Sequence, residues 1–471
     1  MVKRVLFGVG TIGKEIIPIW IKMGIPLDYL ADNNSDLWNT SYKGIPILSL
    51  EQIKKLDSVE IVITCKKYEE VINQLIREGI PRECIFECYT KKGFQEQVKK
   101  NYVIKKKKEN GILFDLQNGL VLGGVESWVF QMAKEFQEKG FFIKYLTTNI
   151  NPPMVPVKGI DTTIFDYQEI KGDVERIWNG VAEMVMYLPC IVVCNFPFQM
   201  FEAACMAKEM YPELVKVIAV IHSDDRVYYD VYEKNKKNID EVLVVSSKIE
   251  DTILEKGFCR EKVHKIQWNI PCKEKLERSY SKKGEPLRLG YAGRITTELK
   301  RVDRFLLLAK SLQKRGIPFV IELAGIGPYE EQLQREINKQ QLEEVIKLVG
   351  YLPRERIPEF WERQDIMVSC SDIEGHSISQ EEAMASGAVP VVFDTSGARD
   401  DVIDGYHGYV LLVGEVHAMA DKIEILYQDR DLLEKMGNRS YLSMKEKKKQ
   451  SNMMQLWEEL LAAKEVMGEG I

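Results

Sequence analysis

Two carboxylates, Glu374 and Glu382, stand eight positions apart in the stretch EGHSISQEEAMASGAVPVV, with a polar, glycine-bearing turn between them and small residues after. A carboxylate accepts hydrogen bonds on two oxygens, which suits vicinal hydroxyls. Upstream, GYAGR closes an apolar run, and Arg294 and Lys300 follow Gly293 at the start of the next helical pattern. Glycine lets a backbone come close to a ligand, and a helix N-terminus beside a guanidinium and an ammonium is an anion site. Two acids with amides and cations between them describe a place for a sugar, a diphosphate and a ribose. Plainer readings stand beside this one. Arg294 and Lys300 are also what a solvated helix start looks like, and Ser379 with Glu382 spells the S-x-x-E capping box. Asp372 and Glu374 resemble an acidic metal pair, but no partner ligands accompany them, so no metal is expected.

A second constellation opens the chain. FGVGTIG places Gly8, Gly10 and Gly13 between a strand pattern and a helix pattern, and Asp32 follows Gly13 after a second strand pattern. That is the dinucleotide fingerprint in its expected context, with Asp32 available to ribose hydroxyls. The unit lacks a second mononucleotide half. Three readings stay open: a nucleotide or nucleotide sugar bound in this N-terminal domain, a docking module, and NAD redox work.

These residues need elements to hold them. Three times, from Arg4, Gly111 and Leu287, the chain runs through an apolar strand, a glycine-bearing turn and an amphipathic helix that ends near Gly24, Gly140 or Gly316. Glycine at that place permits a left-handed cap. Val/Ile-rich runs then alternate with helices, starting at Ile61, Val215, Glu241, Phe319, Asp365 and Ala388. Runs of this kind fit strands covered on both faces, hence parallel sheets in an α/β protein. In open sheets of this class ligands bind at the carboxyl ends of the strands, where DIMVSCS delivers Asp372 to Glu374. The next helix is expected to begin near Ser377 or Ser379. The predicted division is a small Rossmann-like domain over 1–95, a lysine-rich linker over 96–110, two further Rossmann-like domains over 111–275 and 276–440, and C-terminal helices over 441–471.

Composition narrows the function. The chain has 471 residues, more than one ordinary domain holds, and its net charge of −6 argues against a nucleic-acid binder. Nine cysteines are scattered along the chain; Cys84 and Cys88 stand four positions apart, with no second Cys or His pair following at the finger spacing a zinc site needs. Reduced thiols and a cytoplasmic location are expected. The most apolar window, VMYLPCIVVCNFPF, is too short for a membrane span and reads as a buried strand. The lysines between Lys91 and Asn110 read as a solvated helix and linker. Their alternative is peripheral contact with an anionic membrane, at about 1 kcal/mol per lysine, which would put the protein at the inner face of the plasma membrane.

From about Gly111 to Gly408 the chain resembles the glycosyltransferase family four enzymes of the GT-B fold. The resemblance is carried by LGGVESW, DEVLVVSS, GYAGRITTELKRVDRF, ELAGIGPYEEQL, KLVGYLPRERIPEFWERQDIMVSCS and the E-x7-E stretch, in that order. It implies two facing Rossmann-like domains and a retaining, metal-independent transfer of sugar from a nucleotide-sugar donor, with a UDP-sugar expected. The acceptor would be a glycan, a lipid-linked molecule or a protein, in bacterial cell-surface polysaccharide or glycoconjugate synthesis. By the same resemblance Arg294 and Lys300 neutralise the donor diphosphate, with Arg301 as the alternative second cation. Glu374 takes the sugar hydroxyls, Glu382 the ribose, and the amides of His376, Ser377, Ile378 and Ser379 the sugar and distal phosphate. Gly123 and Gly124 let the opposite domain close, Tyr351 and Leu352 line the base pocket, and His222 stands near the sugar. The departing phosphate would act as base, and no resident cofactor is required. Two rivals remain, a sugar-nucleotide epimerase of the same fold and a non-catalytic partner subunit, and the oligomeric state is left open.

Overall fold

The computed structural model describes residues 2–104, 111–116, 119, 123–148, 160–165, 173–267, 270–450 and 453–462. Three sheets account for the three expected units. The first contains β1 (Lys3–Phe7), β2 (Tyr29–Ala31), β3 (Ser41–Tyr42), β4 (Ile45–Leu48), β5 (Val59–Ile63) and β6 (Ile85–Glu87), in the order β3-β4-β2-β1-β5-β6. Only the β3–β4 hairpin in it is antiparallel. The second contains β7 (Gly111–Leu116), β8 (Phe142–Thr148), β9 (Asp161–Phe165), β10 (Cys190–Cys194), β11 (Val215–Ile221), β12 (Glu241–Val244) and β13 (Val263–Lys265), in the order β13-β12-β11-β10-β7-β8-β9. The third contains β14 (Leu287–Ala292), β15 (Phe319–Ala324), β16 (Ile346–Gly350), β17 (Ile366–Ser369), β18 (Val389–Phe393) and β19 (Tyr409–Leu411), in the order β16-β15-β14-β17-β18-β19, parallel throughout. The apolar window read as a buried strand is β10, with all five residues buried. Gly24, Gly140 and Gly316 adopt φ of 74°, 85° and 67°, the left-handed conformation that only glycine takes at no steric cost.

The chain divides into two compact units, one of residues 1–122, 129–219 and 235–240, the other of residues 123–128, 220–234 and 241–471. Within the first, the lysine-rich stretch is more than a linker. Lys91–Asn101 is a helix whose N-cap, Thr90, accepts a hydrogen bond from the Gly93 amide at 3.0 Å, and Phe94, Gln97 and Val98 on it are buried. Phe94 stacks on Trp178 of the Asp173–Met186 helix, ring centroids 5.3 Å apart. Lys22, from the Thr11–Met23 helix, pairs with Glu183 on that same helix, and Glu183 also lies 3.5 Å from the buried Lys144. Several lysines are engaged within the protein. Lys91 pairs with Glu202, while Lys100 lies 3.1 Å from Glu60 and 3.8 Å over the Phe86 ring. The lysines at 105–108 lie outside the described residues, as do Trp268, Asn269 and the end of the chain from 463. Among the described residues no helix is long and apolar enough to cross a membrane.

The second unit centres on the third sheet, with Leu287, Leu289, Ile321, Val368, Val389 and Val391 fully buried against Phe305, Leu308 and Ile423 from helices. Its last helices, Arg430–Gln450 and Met453–Ala462, return along it, and Trp457 packs 6.3 Å from Trp128, centroid to centroid.

Phe94→Ala removes a fully buried ring, so we expect urea denaturation to show a loss of about 3–5 kcal/mol. Lys92→Ala, on the exposed side of the same helix, should stay within about 0.5 kcal/mol. Equal effects would show that the Phe94 contact does not hold the N-terminal sheet in place.

Candidate functional site

β14 and β17 pair directly, with Leu289 opposite Ile366 and Gly290 opposite Met367, so their carboxyl ends lie side by side. From β14 the chain passes through Gly293 and the exposed Arg294 to Lys300. From β17 it passes through Asp372 to Glu374. Lys300 Nζ lies 2.6 and 2.8 Å from the two Glu374 oxygens. Arg301, the alternative second cation, is engaged elsewhere. Its backbone sits at φ 48°, and its guanidinium is held by Asp303 at 2.9 Å and Asp372 at 3.0 Å. Arg304 donates to the Cys370 carbonyl at 2.8 Å and also pairs with Asp372. Burial pushes the Asp372 carboxyl up, but its bonds to Arg304 and Arg301 outweigh this and hold it below the usual range. Asp372 and Glu374 therefore each hold at least one cation from the chain itself.

The turn after Glu374 depends on a missing side chain. A Cβ on Gly375 would lie 2.1 Å from the His222 carbonyl oxygen, so only glycine permits the end of β11 and this turn to touch. The helix that follows is Ile378–Ala385, and its N-cap is Ser377, whose side chain accepts from the Gln380 amide at 3.3 Å. The capping-box reading of Ser379 and Glu382 therefore fails: both lie inside the helix, Ser379 two positions past the N-cap, and Ser379 Oγ is buried without a hydrogen-bond partner among the described residues. Glu382 is half-buried, and the protein around it removes enough water to push its carboxyl up to about 7, with Arg354 acting in the opposite sense. The expectation for His376 concerned its backbone amide; its ring lies buried, with Nε2 3.2 Å from Glu381 and 3.4 Å from Asp401.

The glycine loop meets this helix. A Cβ on Gly124 would come 3.1 Å from Ile378 Cδ1, and one on Gly123 would come 2.4 Å from a Glu126 oxygen. Glu126, in the first turn of Gly124–Glu138, is only 4% exposed. Burial pushes its carboxyl up to about 7, although the nearby Arg294 charge opposes this. Sequence reasoning named the glycines beside Glu126 and passed over the acid. The available signal was its place one residue after Gly-Gly-Val, in a first helical turn. His222 lies edge-on to Trp128 at 5.3 Å between centroids, and burial pushes its imidazole down to about 3, so the ring is neutral near pH 7. Gly293 is enclosed by Gly325, whose own Cβ would fall 1.9 Å from the Gly293 carbonyl oxygen. Tyr351 and Leu352 follow β16, Tyr351 exposed and Leu352 half-buried.

In the first sheet the fingerprint glycines keep their geometry. A Cβ on Gly13 would fall 1.8 Å from the Gly8 carbonyl oxygen, and Gly10 caps the Thr11–Met23 helix with open space beside it. Asp32 reaches this loop, its two oxygens accepting from the amides of Val9 at 2.7 Å and Asn34 at 2.9 Å.

Residues 273–443 match the family described as Glycosyl transferases group 1. Over 221 residues the chain is 27% identical to a putative colanic acid biosynthesis glycosyltransferase, WcaL, of Salmonella typhimurium, covering 45% of this chain and 54% of that one. It is 26% identical over 265 residues to the amylovoran biosynthesis glycosyltransferase AmsK of Erwinia amylovora, covering 51% and 65%. The matched stretch thus spans between half and two-thirds of those relatives' lengths. Among solved structures, the Anabaena protein Alr3699/HepE in complex with UDP and glucose superposes with a TM-score of 0.62 at 17% identity, covering 75% of this chain and all of that one. The fold is GT-B-like α/β, with a further Rossmann-like sheet at the N-terminus.

Glu126 binds its proton more tightly folded than unfolded, so between about pH 4.5 and 7 it costs stability progressively as pH rises. Glu126→Gln removes that cost. The variant's melting temperature relative to the parent should be higher at pH 8 than at pH 5, and a difference independent of pH would refute the buried-acid assignment.

Proposed function

We propose that the chain is a retaining glycosyltransferase that moves a sugar from a nucleotide-sugar donor, a UDP-sugar, to a glycan, lipid-linked or protein acceptor in bacterial cell-surface polysaccharide synthesis. One observation carries the reading: Lys300 and Glu374, far apart in sequence, meet at the carboxyl edge of a parallel sheet, with Arg294 on the same loop as Lys300. The family match over residues 273–443 and the UDP held by a protein of the same fold support it.

In this reading the donor diphosphate lies against Arg294 and Lys300, and Glu374, released from Lys300, takes the sugar hydroxyls. Glu382 accepts from the ribose. Its raised affinity for a proton suits a carboxyl that stands in a dry pocket until hydroxyls arrive. As the anomeric bond breaks, negative charge grows on the leaving phosphate oxygen. Fixed cations stabilise that charge more in the transition state than in the ground state, which is where the acceleration arises. The departing phosphate receives the acceptor proton on the same face, which retains configuration. His222, neutral at physiological pH, serves as a hydrogen-bonding group beside the sugar and not as a phosphate cation. For the N-terminal sheet the first reading is binding of a nucleotide or nucleotide sugar at Gly8, Gly10, Gly13 and Asp32, with a docking module and NAD redox work as the alternatives.

A panel of UDP-, GDP- and ADP-sugars, followed by release of the free nucleotide, tests the activity. Turnover with a UDP-sugar that persists in excess chelator is the expected result. An epimerised donor with no transfer would establish the epimerase instead. Arg294→Ala should lower turnover about 10²–10³-fold while donor affinity changes far less. An equal loss in both would take the transition-state role away from Arg294.

A further inference from the structure

Behind the proposed donor turn lies a buried group of four ionisable side chains. Glu381 and Asp401 are each no more than 1% exposed at the side chain, and the His376 ring is 4% exposed. Lys447 Nζ lies 2.6 Å from a Glu381 oxygen and 2.6 Å from an Asp401 oxygen. His376 Nε2 faces the same two carboxylates, and Gln380 Nε2 donates to Asp401 at 3.2 Å. Gly397 closes the other side of the ring, since a Cβ there would come 2.7 Å from His376 Nδ1.

One imidazole nitrogen and two carboxylates within 4.8 Å of one another form a donor set that a divalent cation could use. Here the ammonium of Lys447 takes that place. Four elements converge on it: the turn after β17 through His376, the Ile378–Ala385 helix through Glu381, the Ala398–Asp401 helix through Asp401, and the Arg430–Gln450 helix through Lys447. Buried like charges repel strongly, so the two acids can both stay ionised only while a cation lies between them. Burial alone would push the His376 imidazole down, but Asp401 and Glu381 outweigh it and raise its affinity for a proton, with Lys447 opposing. Further out, His407 and Arg439 act on the same neighbourhood, His407 beside Asp401 and Arg439 beside His407.

We propose that Lys447, Glu381, Asp401 and His376 form a positioning clamp for the sugar-nucleotide site. Lys447 acts as a built-in cation that gathers the other three at one point. Glu374 lies two residues before His376, and Glu382 is the neighbour of Glu381, so the clamp fixes both acids of the E-x7-E pair from behind. In this reading the four side chains act through the backbone they hold, and the His376 amide alone among these residues faces the donor. The inference rests on the nucleotide-sugar reading of Glu374 and Glu382.

The test compares Lys447→Met, Lys447→Arg and, as an exposed control on the same helix, Lys449→Met. Hydrogen exchange of the peptide spanning residues 372–386 is measured without ligand, and turnover of the UDP-sugar is followed from pH 6 to 9. In Lys447→Met the turn should exchange at least tenfold faster. Turnover should fall about tenfold or more, with a steeper loss above neutral pH, because His376 is then the cluster's remaining positive charge and leaves two buried acids unopposed once deprotonated. Lys447→Arg should restore both readouts to within about threefold of the parent, and Lys449→Met should change neither. Should Lys447→Met not fold, the charge-balanced double variant Lys447→Met/Glu381→Leu replaces it, with the same faster exchange and lower turnover expected. Unchanged exchange and an unchanged pH profile in an active protein would overturn the clamp alone. A parent chain that neither binds nor turns over any sugar nucleotide would overturn the donor reading, and with it the purpose assigned to the clamp.

Discussion

Because β14 and β17 run in parallel and share hydrogen bonds, the segments that leave them must emerge at one edge, and the Lys300–Glu374 ion pair is the consequence. Neither residue has a reason to be where it is apart from that pairing. The strands are buried on both faces, so a slip by one residue would turn the apolar set of the third sheet toward the wrong layer. The core therefore sets the register of the site. The glycines complete the arrangement by omission, since Gly375 and Gly325 sit where another backbone leaves no room for a side chain.

Charge at this edge follows a consistent scheme. Asp372 is saturated by Arg301 and Arg304 and serves to shape the loop. Glu374 holds Lys300 loosely enough for water to reach both, at 12% and 24% exposure, so the pair can open at modest cost when other partners are offered. Glu126 and Glu382 stand in drier places without a hydrogen-bonded cation, and both hold a proton up to about pH 7. The acids thus divide into those already neutralised by the chain and those kept neutral by their surroundings.

The sequence made the three sheets legible because Val/Ile runs, glycine turns and amphipathic helices recur with the period of each element. It also pointed to Lys300 and Glu374, which follow the paired strands β14 and β17 and meet in the structure. It did not reveal the Phe94 face of the Lys91–Asn101 helix. There the lysines dominate the composition, and two of the four buried positions are Gly93 and Gln97, which carry no apolar signal. Nor did it reveal where His376 points or what Lys447 does. Those partners are separated by 66 residues in the Lys447–Glu381 pair and 46 in the Lys447–Asp401 pair, and local pattern carries no record of such distances. Ser377 and Ser379 show the limit at close range: both precede a helical pattern, and only the backbone decides which of them caps it.

The Phe94–Trp178 stack and the Lys22–Glu183–Lys144 link bear on how such a chain can be divided. The first sheet is not carried on a tether. Its separation would bare an indole and leave a nearly inaccessible glutamate facing one cation fewer, so a fragment starting at residue 111 would inherit a sticky, charged scar. Grafting this N-terminal part onto another enzyme would require transplanting the matching surface of the Asp173–Met186 helix along with it.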